Sequence, residues 1–253
     1  MSSAASFPVP VIHFTGNASK SGLQICILPD RAAQDSTSKL RESLIFHRLV
    51  EVDGARLYAG GGIPTSLVHT VNKMRGEMEI SVGTWNIPVL IPDTIVDSII
   101  STDCYYQSRS KYQYYIVLTS DQVLMPHTYQ SVRKTLLSTT IKQGPGQLQI
   151  RKFCSEYPSD KKSKNFPLSI SILQSTLYNK QLSKDVTISI HSLGGTEDTH
   201  GGESSASLEQ ILTVNEYVYC DRYDVSETDK TAGYQADALR FSKDLITLFK
   251  KYS

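Results

Sequence analysis

The sequence predicts a mainly β protein with small helices, that is, a β-rich α+β fold. Residues 168–173 and 186–190 alternate strictly between apolar and polar side chains, which is typical of strands with one buried and one polar face. Residues 236–252 have one apolar side and predict an amphipathic C-terminal helix. At 253 residues, the chain can form one large β domain or two small ones.

The composition narrows the class of protein. The hydrophobic share of 40% and the charged share of 20% are typical of a folded, soluble chain. A formal net charge of +1 excludes a global affinity for nucleic acid or anionic lipid, so any such affinity must come from local patches. No apolar run approaches the ~18 residues of a membrane span. The first residues have neither the basic nor the apolar run of a secretory signal.

The cysteines are widely separated and show no C-x-x-C spacing. This pattern predicts free, buried thiols in a reducing compartment rather than a disulfide framework or a zinc site. The four are Cys26, Cys104, Cys154 and Cys220.

The first half predicts several short elements. Residues 1–20 are small, polar and proline-bearing, and predict a flexible segment. Residues 23–28, 55–59 and 78–85 predict strands. Pro64 suits the first position of a helix, and apolar residues at helical spacing predict its buried face. Those residues are Leu67, Val68, Val71 and Met74.

Two segments of the first half allow more than one interpretation. Residues 34–50 look partly helical, but the end of this segment, residues 44–52, fits a strand equally well. Residues 95–104 have apolar residues at helical spacing, yet their β-branched side chains also fit a strand.

The centre of the chain predicts a strand, a turn, a second strand ended by Pro126, a short helix within residues 127–137 and a break at residues 144–146. The domain boundary falls either before Tyr112 or within residues 120–144. Residues 112–118 and 122–125 pair naturally as a hairpin, and a hairpin is rarely divided between domains. This favours an N-terminal segment 1–20 and domains 21–110 and 111–253.

The chain contains no nucleotide-binding or catalytic fingerprint, so the sequence predicts no enzyme and no cofactor. Residues 60–62 are three glycines that could expose amides to an anion, but a structural turn fits better. One glycine-rich loop contains side chains that can bind a metal. A solvated loop fits them better, and we expect no metal there. They are His191, Glu197, Asp198 and His200.

Basic residues cluster in the second half. If folding brings them to one face, each charge contributes about 1 kcal/mol to binding anionic lipid. The alternative is a set of unrelated solvated turns. The candidate residues are Arg133, Lys134, Arg151, Lys152, Lys161, Lys162 and Lys164. The C-terminal helix either binds a membrane surface or a partner, or covers a sheet of its own domain.

Three stretches resemble the matrix proteins of non-segmented negative-strand RNA viruses, nearest to the pneumovirus and paramyxovirus type. Residues 123–133 are similar to the apolar-Pro-turn-helix joint of those proteins. Residues 144–146 and the strand after them, and the glycine pairs at 194–195 and 201–202, are the other two. The Phe7-Pro8-Val9 segment resembles the Phe-Pro-Ile-Val type of budding motif.

The resemblance implies two β-sandwich domains in tandem and a non-enzymatic function. A matrix protein self-assembles, through dimers, into a layer beneath the viral envelope. The expected partners are further copies of the chain, anionic lipid, the nucleocapsid and the glycoprotein tails, with non-specific contact to RNA in addition. The expected locations are the virion, the host cytoplasm, the inner face of the host membrane and the nucleus.

Two other functions stay open on the sequence alone. A viral capsid subunit or a plant-virus movement protein of the β-sandwich type would also contain many short alternating strands. An enzyme would have to use the loop from His191 to His200.

Overall fold

The computed structural model describes residues 22–28, 36–59, 63–84, 93–127, 131–137, 146–155, 175–179, 187–193, 212–219, 228–229 and 239–252. The first half of the chain forms β1 (Leu23–Ile27), α1 (Ser36–Leu49), β2 (Gly54–Ala59), α2 (Thr65–Met74), β3 (Glu79–Thr84), α3 (Asp93–Ser108) and β4 (Tyr114–Leu118). The second half forms β5 (Gln122–Pro126), α4 (Val132–Leu137), β6 (Gly146–Ser155), β7 (Ser175–Asn179), β8 (Thr187–Ser192), β9 (Leu212–Tyr219), β10 (Thr228–Asp229) and α5 (Ser242–Tyr252).

The first four strands form a parallel sheet in the order β3-β2-β1-β4. A parallel pair of strands requires a crossover, and a helix supplies it between each strand and the next. The chain first moves outward from β1 to β3 and then returns to the other side of β1, where β4 lies. At that point the carboxyl ends of β1 and β4 are level, since the Leu28 amide donates to the Leu118 carbonyl oxygen at 2.8 Å.

Helices cover both faces of this parallel sheet. Alternate residues of β1 face opposite ways, so Ile25 and Ile27 pack in the core with α1, α2 and α5. Cys26 faces the other way and packs with Val96 and Ile100 of α3. Strands that are buried on both faces contain nearly continuous apolar residues, and β1 is buried along its whole length.

The sheet continues without a break into the second half. β8 pairs antiparallel with β4, and the long strand β6 pairs with β8 through its first residues. The rest of β6 pairs with β7 on one side and with β9 on the other, and β9 pairs with β5. The predicted β-rich α+β class is therefore confirmed, whereas two tandem sandwiches are not: within the described ranges, one sheet runs through both predicted domains.

The predicted hairpin is wrong. The two strands form where the sequence places them, and β5 ends at Pro126 as predicted. However, β4 pairs with β1 along one edge and, through residues 114–116, with β8 on the other. β5 pairs with β9 instead. The predicted domain boundary after residue 110 depends on this hairpin. That position lies between two strands of one sheet.

The helices resolve the ambiguous segments. Residues 36–49 are helical to the end, so the alternative strand at residues 44–52 is wrong, and residues 95–104 belong to a helix. The helix after Pro64 buries Leu67, Val71 and Met74 as predicted, together with Thr70. Val68 is wrong as a core residue, since it is 39% exposed. The C-terminal helix begins later than predicted and packs on α1 and α2.

The prediction of free thiols is wrong for one pair of cysteines. Cys26 of β1 and Cys104 of α3 form a disulfide, with their Cα atoms 6.1 Å apart. The two cysteines are 78 positions apart in the sequence, so no local spacing indicates that they pair. The two become neighbours because α3 packs on the face of the sheet toward which the Cys26 side chain points.

Candidate functional site

The predicted basic residues lie on separate elements. Arg133 and Lys134 are adjacent and exposed on α4, whereas Arg151 and Lys152 lie on β6. Successive residues of a strand point to opposite faces, so the β6 pair does not act on one surface. Residues 161, 162 and 164 lie outside the described ranges, as does the candidate budding motif at residues 7–9.

Two of these cations are balanced by a carboxylate. Arg133 lies 3.4 Å from Asp53, and Lys152 lies 2.9 Å from Glu216. Asp53 also accepts a hydrogen bond from the Leu23 amide at 2.9 Å, so this carboxylate joins α4 to the beginning of β1. The positive surface is therefore smaller than the number of predicted basic residues suggests.

One exposed side of α3, next to the side that packs on the sheet, is largely apolar. Val96, Ile100 and Cys104 are buried against the sheet. At 3.6 residues per turn, residues 95, 99, 102 and 106 form one stripe on an exposed side of the helix, next to the buried side. Of these, Ile95 is 49% exposed, Ile99 41% and Tyr106 48%. We call Ile95, Ile99, Thr102 and Tyr106 the outward face of α3.

This face concentrates the exposed apolar side chains of the described residues. Of six large apolar side chains that are exposed there, four belong to α3, and the fourth is Tyr105 beside the outward face. A surface helix normally buries its apolar side, and here exposed apolar side chains widen that side beyond the part that the sheet covers. A contiguous apolar patch of this kind marks an interaction surface.

The sequence contains a signal for this face that was missed. Two apolar stripes run one residue apart, with Val96, Ile100 and Cys104 in one and Ile95 and Ile99 in the other. Only one stripe can face the sheet. The two stripes can be recognised only when the segment is known to be a helix. The β-branched residues of the segment leave a strand equally possible.

Polar contacts hold α3 firmly on the sheet. Asp103 accepts hydrogen bonds from the Tyr58 hydroxyl at 2.7 Å and from Arg56 Nε at 3.1 Å. The Ser108 hydroxyl donates to the side chain of Gln24. Burial, and then the bond to Asp103, raise the pKa of Tyr58 well above its usual range, so this phenol stays a donor. The outward face is thus presented on a fixed helix.

A small crevice lies between α1, the turn that follows β4, and the strands β5 and β9. It adjoins the carboxyl end of β4, and in doubly wound sheets ligands bind near such a reversal of strand order. The volume of this crevice is about 10 Å³, whereas ligand pockets occupy about 300–1,000 Å³. The described residues that line it are Lys39, Glu42, Ser43, Ser120, Asp121, Val123 and Tyr217.

The polar groups around this crevice bind one another. The Thr119 hydroxyl donates to Asp121, and the Gln122 amide nitrogen donates to Glu216 at 2.9 Å. The Tyr217 amide donates to the Asp121 carbonyl oxygen at 2.9 Å. These bonds fasten the end of β4 to β5 and β9. The size of the crevice and its internal bonding favour a structural role.

Ser43 and His47 are neighbours, but they do not form a nucleophile and a base. His47 is fully buried, and its Nδ1–H donates to the Ser43 carbonyl oxygen at 2.7 Å. Its Nε2 accepts the Leu124 amide at 3.2 Å. Both ring nitrogens therefore bind the backbone, and burial lowers the pKa of His47 to about 4. The ring joins α1 to β5 as a neutral group.

His191 is the one residue of the predicted metal loop that lies within the described ranges. It belongs to β8 and stacks on Tyr115, with 4.7 Å between the ring centroids. Burial lowers its pKa. Among the described residues, no three His, Cys, Asp or Glu side chains are placed to hold a metal ion. Glu197, Asp198 and His200 lie outside those residues.

Comparison with known proteins identifies no relative of this chain, so its function is inferred from the fold and the site. No protein-family model matches the chain, and a search of curated proteins finds no match. Among the described helices, none has the length and hydropathy needed to cross a membrane.

Proposed function

We propose that this protein is a viral matrix protein, a non-enzymatic structural protein that assembles on itself beneath an envelope. The observation that carries the proposal is the outward face of α3. Its isoleucine and tyrosine side chains lie on a helix that the hydrogen bonds of Asp103 and Ser108 hold on the sheet. A surface of that kind serves binding to another macromolecule better than catalysis. The proposal does not depend on two tandem sandwich domains.

Lipid contact in this proposal comes from a local patch. The net charge of +1 provides little attraction at long range. We therefore assign contact with anionic headgroups to α4, where Lys134 is exposed beside Arg133, which is paired with Asp53. Assembly on the membrane would then bring the nucleocapsid and the glycoprotein tails to the remaining surfaces. The virion and the inner face of the host membrane are the locations that this function requires.

The test is binding of the purified chain to phosphatidylserine vesicles, followed by sedimentation and negative-stain microscopy. We expect an ordered coat or tubes, and binding that falls as salt rises from about 0.1 to 1 M, because the Debye length shortens from about 10 to 3 Å. Lys134→Glu should weaken binding several-fold. Lys243→Glu, an exposed lysine of α5, is the matched control and should not.

Three results would refute the proposal. A chain that stays monomeric and ignores the vesicles is not a matrix protein. Closed icosahedral particles formed without lipid would identify a capsid subunit. Binding to nucleic acid with a steep dependence on salt, and none to vesicles, would favour a movement protein.

A further inference from the structure

We infer that the outward face of α3 binds the same face of a second copy of this chain, with the two helices antiparallel across a two-fold axis. The inference rests on the proposed function, because it names the contact through which assembly begins. A two-fold interface is isologous, which means that one patch must be complementary to itself.

The spacing of the outward face meets this requirement. Positions 95, 99, 102 and 106 are separated by four, three and four residues, and this pattern reads the same in both directions. In an antiparallel pair centred between residues 100 and 101, Ile95 lies opposite Tyr106 of the second copy, and Ile99 lies opposite Thr102. The same alternation of four and three forms the apolar seam of packed helix pairs.

The side chains suit close approach. Large residues are at the two ends, and Thr102 near the centre is small enough for the helix axes to come within the usual 8–10 Å. Ile95, Ile99 and Tyr106 each expose between 41% and 49% of their surface, so each has area to bury.

Charge selects the antiparallel arrangement. Arg109 follows the helix on this side, and its guanidinium lies 4.9 Å from the centroid of the Tyr106 ring. Asp97 points the opposite way, because nine residues separate it from Tyr106 and nine residues turn the helix by half a revolution. A parallel pair would bring the two arginines together, whereas an antiparallel pair separates them by about 26 Å along the helix axes. Antiparallel helix dipoles also attract.

The size of the face determines the strength of the contact. It extends over twelve residues, about 16 Å of helix. A contact of that length is too short to bury the ~800 Å² per partner of a standard stable interface. We therefore expect a weak dimer that is detectable at tens of micromolar protein. In a lattice, each chain would make many such contacts, and their combined binding would be stronger.

The first experiment measures association of the full chain without lipid, by analytical ultracentrifugation over a concentration series. Ile99→Glu places a carboxylate in the centre of the face and should weaken dimerisation at least tenfold. Val68→Glu is the matched control, because Val68 is 39% exposed on α2, which covers the other face of the sheet, and it should leave dimerisation unchanged.

The second experiment tests the antiparallel geometry. Ile95→Lys and Tyr106→Glu should each weaken the dimer. The double variant should recover most of the loss, since each new lysine then faces a new glutamate of the other copy. In a parallel dimer, lysine would face lysine and glutamate would face glutamate, and the double variant would be the weakest. All of these positions are exposed, so unchanged thermal midpoints should confirm that the variants fold.

A monomeric wild type at all concentrations, or a dimer that Ile99→Glu leaves intact, overturns the inference. So does a double variant without recovery. If α3 variants lose vesicle binding while the dimer persists, the face binds lipid and not a second copy. The proposed function is tested separately, because coats that form on vesicles despite Ile99→Glu would preserve that function and exclude this interface.

Discussion

His47 shows how one buried side chain fixes the position of two elements. Its ring is fully buried, and its two nitrogens bind the backbone of α1 and of β5. Only the neutral ring can accept the Leu124 amide, so protonation would break that bond and bury a charge. The sequence shows a histidine that follows three apolar residues, but it does not show that both ring nitrogens form hydrogen bonds.

The stability of the protein should fall between pH 6.5 and 4 because of His47. In the unfolded chain this histidine takes up a proton near pH 6.5, whereas burial lowers its pKa to about 4 in the folded protein. The unfolded state therefore binds more protons in this range, and the free energy of unfolding decreases as the pH falls. The full effect is about 3 kcal/mol.

Chemical denaturation at a series of pH values measures this decrease. His47→Gln retains a side-chain acceptor but cannot titrate, so the dependence on pH should become flatter by about that amount. His69→Gln, at an exposed position of α2, is the matched control and should leave the wild-type slope unchanged. An unchanged slope in His47→Gln would show that other groups cause the decrease.

At the scale of elements, polar clusters fasten each helix to its neighbours. Glu77 after α2 accepts hydrogen bonds from Arg48 of α1 and from Lys251 and Tyr252 of α5. The bond from Lys251, followed by the bond from Tyr252, lowers the pKa of Glu77 to about 2. This carboxylate therefore stays charged well into acid conditions and keeps the C-terminal helix in place.

The disulfide should be the strongest single tie between an element and the sheet. Cys26 and Cys104 close a loop of 78 residues, for which loss of chain entropy predicts about 4 kcal/mol, with 2–4 kcal/mol typical of measured cases. Reduction should lower the thermal midpoint by roughly 5 to 15 °C.

Thermal melts with and without reductant measure this shift. The control is a chain with both cysteines replaced, Cys26→Ser and Cys104→Ser, which should melt like the reduced protein and ignore the reductant. Peptide mapping under non-reducing conditions should recover the Cys26–Cys104 link directly. A wild type whose midpoint does not respond to reductant, and whose map lacks the link, would contradict the assignment.

At the scale of the whole molecule, β4 is the strand on which the two halves depend. All five of its residues pair with β1, and three of them also pair with β8. β4 therefore lies inside the sheet, between the strands of the first half and those of the second. α5 adds a second link, since Phe241 at its beginning packs on Phe46 of α1 with 5.5 Å between ring centroids.

A chain limited to residues 1–110 should not fold by itself. It would keep β1, β2 and β3, but β1 would lose its partner β4, and α1 would lose α5. We expect a broad thermal transition by circular dichroism and fast amide exchange in residues 23–27, in contrast to a cooperative transition in the full chain. Cooperative folding of residues 1–110 would instead support a domain boundary at that position.

The sequence by itself determined where most strands and helices lie. Residues 23–28, 55–59 and 78–85 have the composition and lengths of strands, and Pro64 precedes a helix, because these signals depend on neighbouring residues alone. It also determined the class, and the end of β5 at Pro126. Residues 95–104 stayed ambiguous because apolar, β-branched residues fit either state when the surroundings are unknown.

Only the tertiary structure decided how these elements join. The pairing of β4 with β1, the Cys26–Cys104 link and the contacts of His47 connect residues that are distant in the chain, and local periodicity contains no record of such pairs. The outward face of α3 illustrates the limit most clearly. The sequence shows both apolar stripes of α3. Only the packing of the helix on the sheet determines which stripe is buried and which stays exposed to bind a partner.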